Sequence, residues 1–393
     1  MAKPRISSVA VSFLSCRCTR DRPRHHHAQL LATRLSPRRR SSARQSLPGA
    51  SSRKVGVSLV PFARDLSELG YHVTVPVRFA CYIERTRQSL RRRLADAPAG
   101  DLLCQYFERG KMLRAFLTFA AAAAVGADPE KVVMAAEAVE LLHGASLFHD
   151  DIIDHASHRR GMISLHEAIG AGKALVAGDD LLLRAFTALS GARTCCAPGT
   201  VFDAMEALNL LALDCCRGQF EELCAGRWIS EEDYAAIIGR KTAAPFVAAG
   251  VLGVLLGGGD KTQQAQIRIY GQHLGMAFQI DDDLLDVIGE PSALGKPVGN
   301  SLAEGRPMLP LILLWRFAPD DDVRNKLRKL DEGVWNRQEL IGLLEQYGVV
   351  ERVRQERQRH LDTAIGALQS FPSVSGVEAL RVLASRAVPT STI

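Results

Sequence analysis

Two clusters of aspartates carry the residues whose types and spacing could do chemistry. The first is DDIID at 150–154 and the second is DDLLD at 282–286, and each directly follows a long apolar run. Residues i and i+4 share one face of a helix, so Asp150 should lie beside Asp154, and Asp282 beside Asp286. Carboxylates at that spacing repel each other unless a hard divalent cation such as Mg²⁺ binds between them. The pattern therefore favours a metal site.

A single DxxxD pair is more often part of a solvated helix face than of a site. Two such clusters, each after apolar sequence that must be buried, are hard to explain in that way, because buried like charges need a compensating cation. Basic side chains that could hold phosphate occur nearby at Lys111, Arg114, Arg159, Arg160, Lys241 and Lys296. Together they predict one metal-bridged diphosphate and one metal-free diphosphate.

His143 is a further candidate for the metal-free diphosphate. A histidine in an apolar helix can also be an ordinary core residue whose ring nitrogens are satisfied by neighbours. Both interpretations of His143 stay open at this point.

Helices should position these residues. Aromatic residues make up only 6% of the chain, hydrophobic residues make up 47%, and alternating strand patterns are essentially absent from about residue 79 onward. Apolar residues instead recur at helical spacing between short Gly, Pro and Asp loops. We therefore predict an all-α fold.

Capping signals place the helices that end in the two clusters. Asp128 followed by Pro129 predicts the start of a helix that runs to the first cluster. Ser230 with Asp233 predicts a capping box and a second helix, which should continue to the glycines at 257–259. Asp260 can then cap a third helix, which should carry the second cluster and stop near residues 289–291.

The first 60 residues are predicted to lie outside the helical fold, which should occupy residues 61–393. Residues 1–54 hold 13 of the 49 Lys and Arg residues and one of the 43 acidic residues, so the rest of the chain has a net charge of −6. This Arg- and Ser-rich composition fits an organelle transit peptide, mitochondrial or plastid, or else upstream sequence that is not part of the working protein. No aromatics are interleaved with the arginines, so nucleic acid is not expected as a partner.

Neither a membrane span nor a disulfide framework is expected. No stretch reaches the roughly 18 uncharged apolar residues that a span needs. The nine cysteines are an odd number and form no CxxC pair, which is typical of reduced thiols inside the cell. We therefore predict a cytoplasmic protein, or an organellar one if residues 1–60 are a transit peptide.

From about residue 100 to 315, the chain resembles the trans-type polyprenyl diphosphate synthases. These prenyltransferases extend an allylic diphosphate with isopentenyl diphosphate. The matching segments, in order, are GKMLR (110–114), ELLHGASLFHDDIIDHASHRRG (140–161), AGDDLLLRAF (177–186), RGQFEEL (217–223), GRKTAAPF (239–246), GMAFQIDDDLLD (275–286) and GKPVGNSLAEGR (295–306).

The resemblance implies a single-domain helical bundle around a central cavity, a homodimer, Mg²⁺ as cofactor, and a role for each site residue. By this resemblance, Asp150, Asp154 and Asp282 would bind the metal ions. The catalytic set on the allylic side is Asp150, Asp151, Asp154, Arg159, Lys241, Asp282, Asp283, Asp286 and Lys296, with Thr242 and Gln279 lining the site. Isopentenyl diphosphate would be bound by Lys111, Arg114, His143 and Arg160. The product would be a linear all-trans polyprenyl diphosphate.

The residues one turn before the first cluster bear on product length. Ala145 and Ser146 are small, and in the family bulky aromatics at these positions act as a floor that stops growth. Leu142, one turn deeper, is only a moderate barrier. We therefore expect geranylgeranyl diphosphate or a longer product.

The chain departs from the family pattern at several positions, and other functions stay open. Ser301 stands where an aspartate is common, Arg306 replaces a lysine, and Asp281 adds an acid before the second cluster. A class I terpene cyclase of the same helical class is one alternative. A regulatory subunit is another, although such subunits usually lose aspartates. A subunit that needs a different partner chain is the third.

Overall fold

The computed structural model describes residues 77–289, 299–318, 321–333 and 336–386. The predicted N-terminal segment 1–60 and Lys296 lie outside these residues. Nearly all of the described chain is helical, which confirms the all-α prediction.

The α-helices follow one another with short connections. In chain order they are α1 (Val77–Leu94), α2 (Gly100–Glu108), α3 (Leu113–Ala124), α4 (Val133–Ile153), α5 (Leu165–Ile169), α6 (Ala171–Ser190), α7 (Pro198–Cys224), α8 (Glu231–Ile238), α9 (Ala244–Leu256), α10 (Lys261–Ile288), α11 (Asn300–Ala303), α12 (Leu309–Phe317), α13 (Asp321–Arg328), α14 (Arg337–Gln346), α15 (Val349–Gly366) and α16 (Val374–Arg386). Short 3₁₀ turns occur at Pro129–Val132, Gly191–Thr194, Lys329–Glu332 and Ala367–Ser370.

A small hairpin directly after α4 provides the only strands in the described ranges. It pairs β1 (His158–Arg159) with β2 (Met162–Ile163), and His158 lies opposite Ile163. Arg160 and Gly161 form the two-residue turn, with φ of +53° and +69°. Two positive φ angles are the requirement of the tight turn that best matches strand twist. This turn fixes the direction in which Arg159 and Arg160 leave the hairpin.

The predicted caps at Asp128 and Asp260 are confirmed. The Asp128 side chain accepts a hydrogen bond from the backbone N–H of Glu130 at the 3₁₀ turn that leads into α4. Asp260 accepts from the N–H of Gln263, whose own side chain accepts from the N–H of Asp260. This reciprocal capping box satisfies two donors at the start of α10.

The second predicted helix, from Ser230 to the glycines at 257–259, differs from the structure in its middle. Ser230 does cap α8 by accepting from Asp233 N–H. However, a π-helical turn at Gly239–Ala243 separates α8 from α9. Such turns insert one extra residue into a helix and are frequent at functional sites.

Helix α9 lies at the centre of the fold, and every residue from Ala244 to Leu256 is buried. It packs against α3, α7 and α10, while α4 lies along α6. In a second buried cluster, side chains of helices α12, α13, α14 and α15 pack against the end of α10. The two helices that carry the aspartates are therefore held against the core along most of their length.

One helical stretch in the described part of the chain, Glu231–Leu256, is long and apolar enough to span a membrane by length and composition alone. Of its most apolar window, 78% is buried inside the protein. Core helices pass the same test, so this stretch is weak evidence for a span.

Candidate active site

The first aspartate cluster occupies the C-terminal end of α4. Asp150 lies in the last turn and Asp154 is the C-cap residue, whose N–H donates to the carbonyl of Asp150 over 2.8 Å. The C-terminal end of a helix carries partial negative charge, so anions are unfavourable there. These two carboxylates therefore need cations around them.

Cations do surround Asp150 and Asp154. Burial raises the pKa of Asp150, and the positive charge of Lys241 acts against that shift, as do Arg159 and Arg306. The neighbouring charge of Asp154 raises the pKa of Asp150 further. Arg306 forms an ion pair with Asp154. The i and i+4 carboxylates thus lie together, as the spacing predicted.

Asp151 has a different environment from its neighbours. Its side chain is fully buried, and it accepts a hydrogen bond of 2.7 Å from Nε of Arg159. A second guanidinium nitrogen of Arg159 also contacts the same carboxylate oxygen. The pairing anchors the hairpin to α4, so Asp151 positions Arg159 and leaves the solvent-facing side of the cluster to Asp150 and Asp154.

Asp283 is the centre of a buried network in the second cluster. Its Oδ2 accepts from the Tyr234 hydroxyl at 2.7 Å and from the N–H of Leu309 at 3.1 Å. Its Oδ1 accepts from Gln279 Nε2 at 2.7 Å, and Thr242 donates to Gln279 in turn. Burial raises the pKa of Asp283 to about 7, although these hydrogen bonds oppose the shift. Asp283 therefore ties α10 to α8 and α12.

The remaining acids of the second cluster face three directions. Asp286 accepts from the N–H groups of Gly299 and Ser301, at 3.1 and 3.0 Å. Asp281 pairs with Arg357 of α15 at 3.2 Å, and burial raises its pKa to about 6. Asp282 is half-buried and, like Asp150, retains some solvent exposure. Of the four acids in DDDLLD, it is the one with the most open side chain.

The π-helical turn places Lys241 between α7 and α10. A Cβ at Gly218 would lie 2.4 Å from the backbone N of Lys241, and one at Gly275 would lie 2.5 Å from Cα of Ala243. Only glycine allows backbones to approach so closely. The turn is thus clamped on both sides, and Lys241 reaches Glu222 of α7 to form an ion pair.

A second group of basic residues lies next to the first cluster. The guanidinium of Arg114 stacks over the ring of Phe246, with its central carbon 4.5 Å from the ring centroid. Burial lowers the pKa of Arg114 to about 10, which leaves it charged at neutral pH. Arg160 donates from Nη1 to the carbonyl of Tyr106 at 2.9 Å. Arg114 and Arg160 therefore remain as two cations near each other.

His143 lies among these arginines. Its pKa is well below the usual value because the ring is buried and because Arg114, Arg160 and Arg159 add positive charge nearby. The ring is therefore neutral at physiological pH, and it could bind an anion by donating a hydrogen bond but not as a cation. Lys111 sits at the start of α3, one residue before Met112, whose φ of +54° turns the chain into the helix.

One acidic side chain, Glu304, lies within electrostatic reach of both clusters. Burial raises the pKa of both Glu304 and Tyr234. The negative charges of Asp154 and Asp286 raise the pKa of Glu304 further, and those of Asp283, Glu222 and Asp282 do the same for Tyr234. The sequence predictions for the aspartates and for Lys241, Thr242 and Gln279 therefore converge on one region. Lys296 lies outside the described residues.

The donor set suits a hard cation that is shared with a bound anion. Carboxylate oxygens are the ligands such ions prefer. No three His, Cys, Asp or Glu side chains within the described ranges form a compact metal site by themselves. Asp151 and Asp283 are buried and committed to hydrogen bonds, so the carboxylates of the two clusters that keep some solvent exposure are those of Asp150, Asp154 and Asp282. An ion held by so few protein ligands would complete its shell with water or phosphate oxygens.

The residues predicted to control product length lie in the middle of α4. Ala145 is 4% exposed and Leu142 is 8% exposed, while Ser146 is half-buried and donates to the carbonyl of His143 at 2.9 Å. No aromatic side chain occupies any of these positions, as the sequence requires. Of the two small residues, Ser146 is the more exposed.

Several residues of the site were not predicted. Glu222 pairs with Lys241, Tyr234 binds Asp283, and Glu140 accepts from the N–H of Ala115 at 2.9 Å at the start of α3. Arg306 was noted only as a departure from the family pattern. Gln219 buries both atoms of its amide with no hydrogen-bond partner in the described chain, so it can receive one from a ligand. Gln219 and Glu222 lie in the RGQFEEL segment (217–223), whose match to the family pattern could have indicated them as site residues.

Comparison with known proteins places these features in context. The polyprenyl synthetase family model matches residues 99–341. The short chain isoprenyl diphosphate synthase of Methanothermobacter thermautotrophicus is 35% identical over 77% of this chain and 94% of its own length. The octaprenyl diphosphate synthase of Escherichia coli is 32% identical over 71% of this chain and 85% of its own. The crystal structure of a polyprenyl synthase from Caulobacter crescentus, complexed with calcium and isoprenyl diphosphate, aligns with a TM-score of 0.74 and 29% identity, over 81% of this chain and 98% of that one.

Proposed function

The chain belongs to the polyprenyl synthetase family, and on that premise we infer that it is a prenyltransferase. It condenses isopentenyl diphosphate with an allylic diphosphate, releases pyrophosphate and gives a linear polyprenyl diphosphate of geranylgeranyl length or longer. The observation that carries this inference is the meeting of two carboxylate clusters with two separate groups of basic side chains.

Asp150, Asp154 and Asp282 are proposed to hold Mg²⁺. When bound, such ions withdraw electron density from a departing diphosphate and so favour cleavage of the allylic C–O bond. The donor chemistry supports this assignment, because these are the carboxylates with remaining exposure at the ends of α4 and α10.

Lys241 and Arg159 are proposed to bind the allylic diphosphate. Lys241 is held rigidly by the π-helical turn and Arg159 by its pairing with Asp151. Fixed positive groups stabilise the charge that develops on the leaving group without having to reorganise during the reaction. Thr242 and Gln279 complete this side of the site through their mutual hydrogen bond.

Arg114, Arg160 and Lys111 are proposed to bind isopentenyl diphosphate, with His143 as a neutral hydrogen-bond donor. These basic side chains suit a diphosphate that is bound without a metal ion and whose C–O bond is not cleaved. The allylic cation would then be attacked by the isopentenyl double bond, and the released pyrophosphate is the proposed acceptor of the proton that is lost. The buried apolar side chains of α4, α6 and α9 would keep water from capturing the cation.

A homodimer is proposed through the outer surfaces of α6 and α7. These adjacent helices expose large apolar side chains, among them Leu183 at 67%, Phe202 at 69% and Phe220 at 69%. Apolar surface of this kind is usually covered by a partner. A second copy of the chain is the occupant that the family resemblance implies.

Product analysis of the purified full-length chain tests the function. The protein would be incubated with Mg²⁺, isopentenyl diphosphate and each allylic starter in turn, and the dephosphorylated products would be sized by chromatography. We expect linear alcohols longer than farnesol. Asp150→Asn should lower the rate about 10²-fold to 10³-fold, as loss of a key electrostatic contact does. Asp362→Asn, at an exposed position on α15, should keep the rate of the wild type.

Two results would contradict this function. A cyclic hydrocarbon would assign the protein to the terpene cyclases. An absence of turnover with every starter would point to a subunit that needs another chain.

A further inference from the structure

A single arginine, Arg306, contacts three acidic side chains at the first cluster. Its guanidinium pairs with Asp154, its Nε lies 2.7 Å from Oε2 of Glu304, and its Nη1 lies 3.7 Å from Oε2 of Glu222. The side chains of Asp154 and Glu222 are only 13% and 12% exposed. Because water screens such partly buried pairs poorly, Arg306 is a strong competitor for any other cation at Asp154.

The backbone around Arg306 directs it toward Asp154. Residues 299–306, here named the clasp segment, begin with the N–H groups of Gly299 and Ser301 that bind Asp286. The segment ends in a turn in which Gly305 has a φ of +75° and the N–H of Arg306 donates to the carbonyl of Ser301 at 3.1 Å. One short segment therefore connects Asp286 of the second cluster to Asp154 of the first.

We propose that Arg306 takes the place of a divalent cation at Asp154, and that it must release this carboxylate before a metal ion can bind there. The proposal rests on the proposed function, since it concerns the same metal-binding carboxylates. Arg306 lowers the cost of placing Asp150 and Asp154 together when no metal is present. Glu222 and Glu304 remain as its partners after it leaves Asp154.

The identity of the residue matters for this role. A guanidinium presents several N–H donors in a rigid fork and can contact Asp154, Glu304 and Glu222 together, whereas a lysine presents a compact point charge. The arginine at this position, where the family commonly has lysine, should therefore make the metal requirement of this chain more stringent.

Direct metal binding tests the proposal independently of turnover. Mn²⁺ alone would be titrated into the full-length protein, with free Mn²⁺ measured by electron paramagnetic resonance. Arg306→Gln should bind Mn²⁺ about fivefold to tenfold more tightly than the wild type, as expected for removal of one partly buried ion pair. Arg240→Gln makes the same charge change at a nearby arginine that pairs with Glu221, and its affinity should stay within about twofold.

A double-mutant cycle separates competition at Asp154 from the general effect of charge. In an Asp154→Asn background, Arg306→Gln should no longer tighten Mn²⁺ binding. A gain that persists there, or an Arg306→Gln variant that binds Mn²⁺ no better than the wild type, would overturn the proposal.

Two controls keep the outcome interpretable. Thermal melting checks that each variant folds, and if Arg306→Gln does not, Arg306→Lys should give a smaller gain in the same direction, with no gain counting against the proposal. Turnover of the wild type is measured on the same preparation. An active wild type with unchanged Mn²⁺ binding in the variants refutes only the role of Arg306, whereas an inactive wild type refutes the proposed function.

Discussion

At the scale of single residues, identical aspartates have different roles. Asp150 and Asp154 face one another across the end of α4, whereas Asp151, one residue away, is fully buried against Arg159. Asp283 is buried and accepts hydrogen bonds from Tyr234, Gln279 and Leu309, whereas Asp282 is half-buried. The helical period explains this division, because successive residues point about 100° apart and only some can face the site.

The small residues on α4 lead to a prediction about product length. Replacing Ala145 with Phe should shorten the product by at least one isoprene unit, because a ring at this position would narrow the path of the growing chain. Product sizing by chromatography provides the measurement. Ala168→Phe, at an exposed position on α5, should leave product length unchanged.

Since Ala145 is buried, the ring could disturb packing, so Ser146→Phe serves as a companion variant at the more exposed neighbouring position. Unchanged product length in both folded variants would show that this part of α4 does not line the path.

At the scale of elements, the α10–α15 interface contains a histidine pair that responds to pH. Nδ1 of His273 lies 2.8 Å from Nδ1 of His360, and Glu356 and Arg359 of α15 also face the pair. Burial and, to a smaller extent, the neighbouring His273 lower the pKa of His360 to about 4. When both rings are neutral, the N–H of one ring can donate a hydrogen bond to the other. Two imidazolium ions would instead repel each other.

The free energy of unfolding should therefore fall as the pH is lowered from about 6.5 to about 4. The pKa of His360 in the folded protein lies below its unfolded value, so the unfolded state binds more protons in this window and gains stability from acid. Urea unfolding at several pH values measures the slope. His360→Gln should flatten it, and His158→Gln, at an exposed hairpin position, should not; equal slopes for the wild type and His360→Gln would contradict this account.

Some features of the helices could be predicted from the sequence and others could not. Asp128 and Asp260 were predictable as caps because capping depends on residues within four positions of each other. The π-helical turn at Gly239–Ala243 was not, because the close contacts that accommodate it come from Gly218 and Gly275 on other helices. The pairing of Arg306 with Asp154 was likewise beyond local rules, since it joins distant parts of the chain.

At the scale of the whole molecule, exposed apolar side chains on α6 and α7 predict self-association. Phe220→Asp should convert a dimer to a monomer, because it would place a charge in an interface that excludes water. Analytical ultracentrifugation measures the change in mass. Val374→Asp is a matched control, since Val374 is an even more exposed apolar residue at 84% but lies on α16.

A wild type that sediments as a monomer would contradict the dimer itself. A Phe220→Asp variant that remains dimeric would place the interface on another surface.

The network around Asp283 has a consequence for the ancestry of such proteins. Asp283 links α8, α10 and α12, so it contributes to folding whether or not the chain catalyses a reaction. A descendant that had lost its activity and survived as a scaffold would still be under selection to keep this aspartate, whereas Asp150, which lies among Lys241, Arg159 and Arg306, would be free to drift. Retention of Asp283 alone therefore says little about activity, whereas retention of Asp150 together with Asp283 marks a lineage that still performs chemistry.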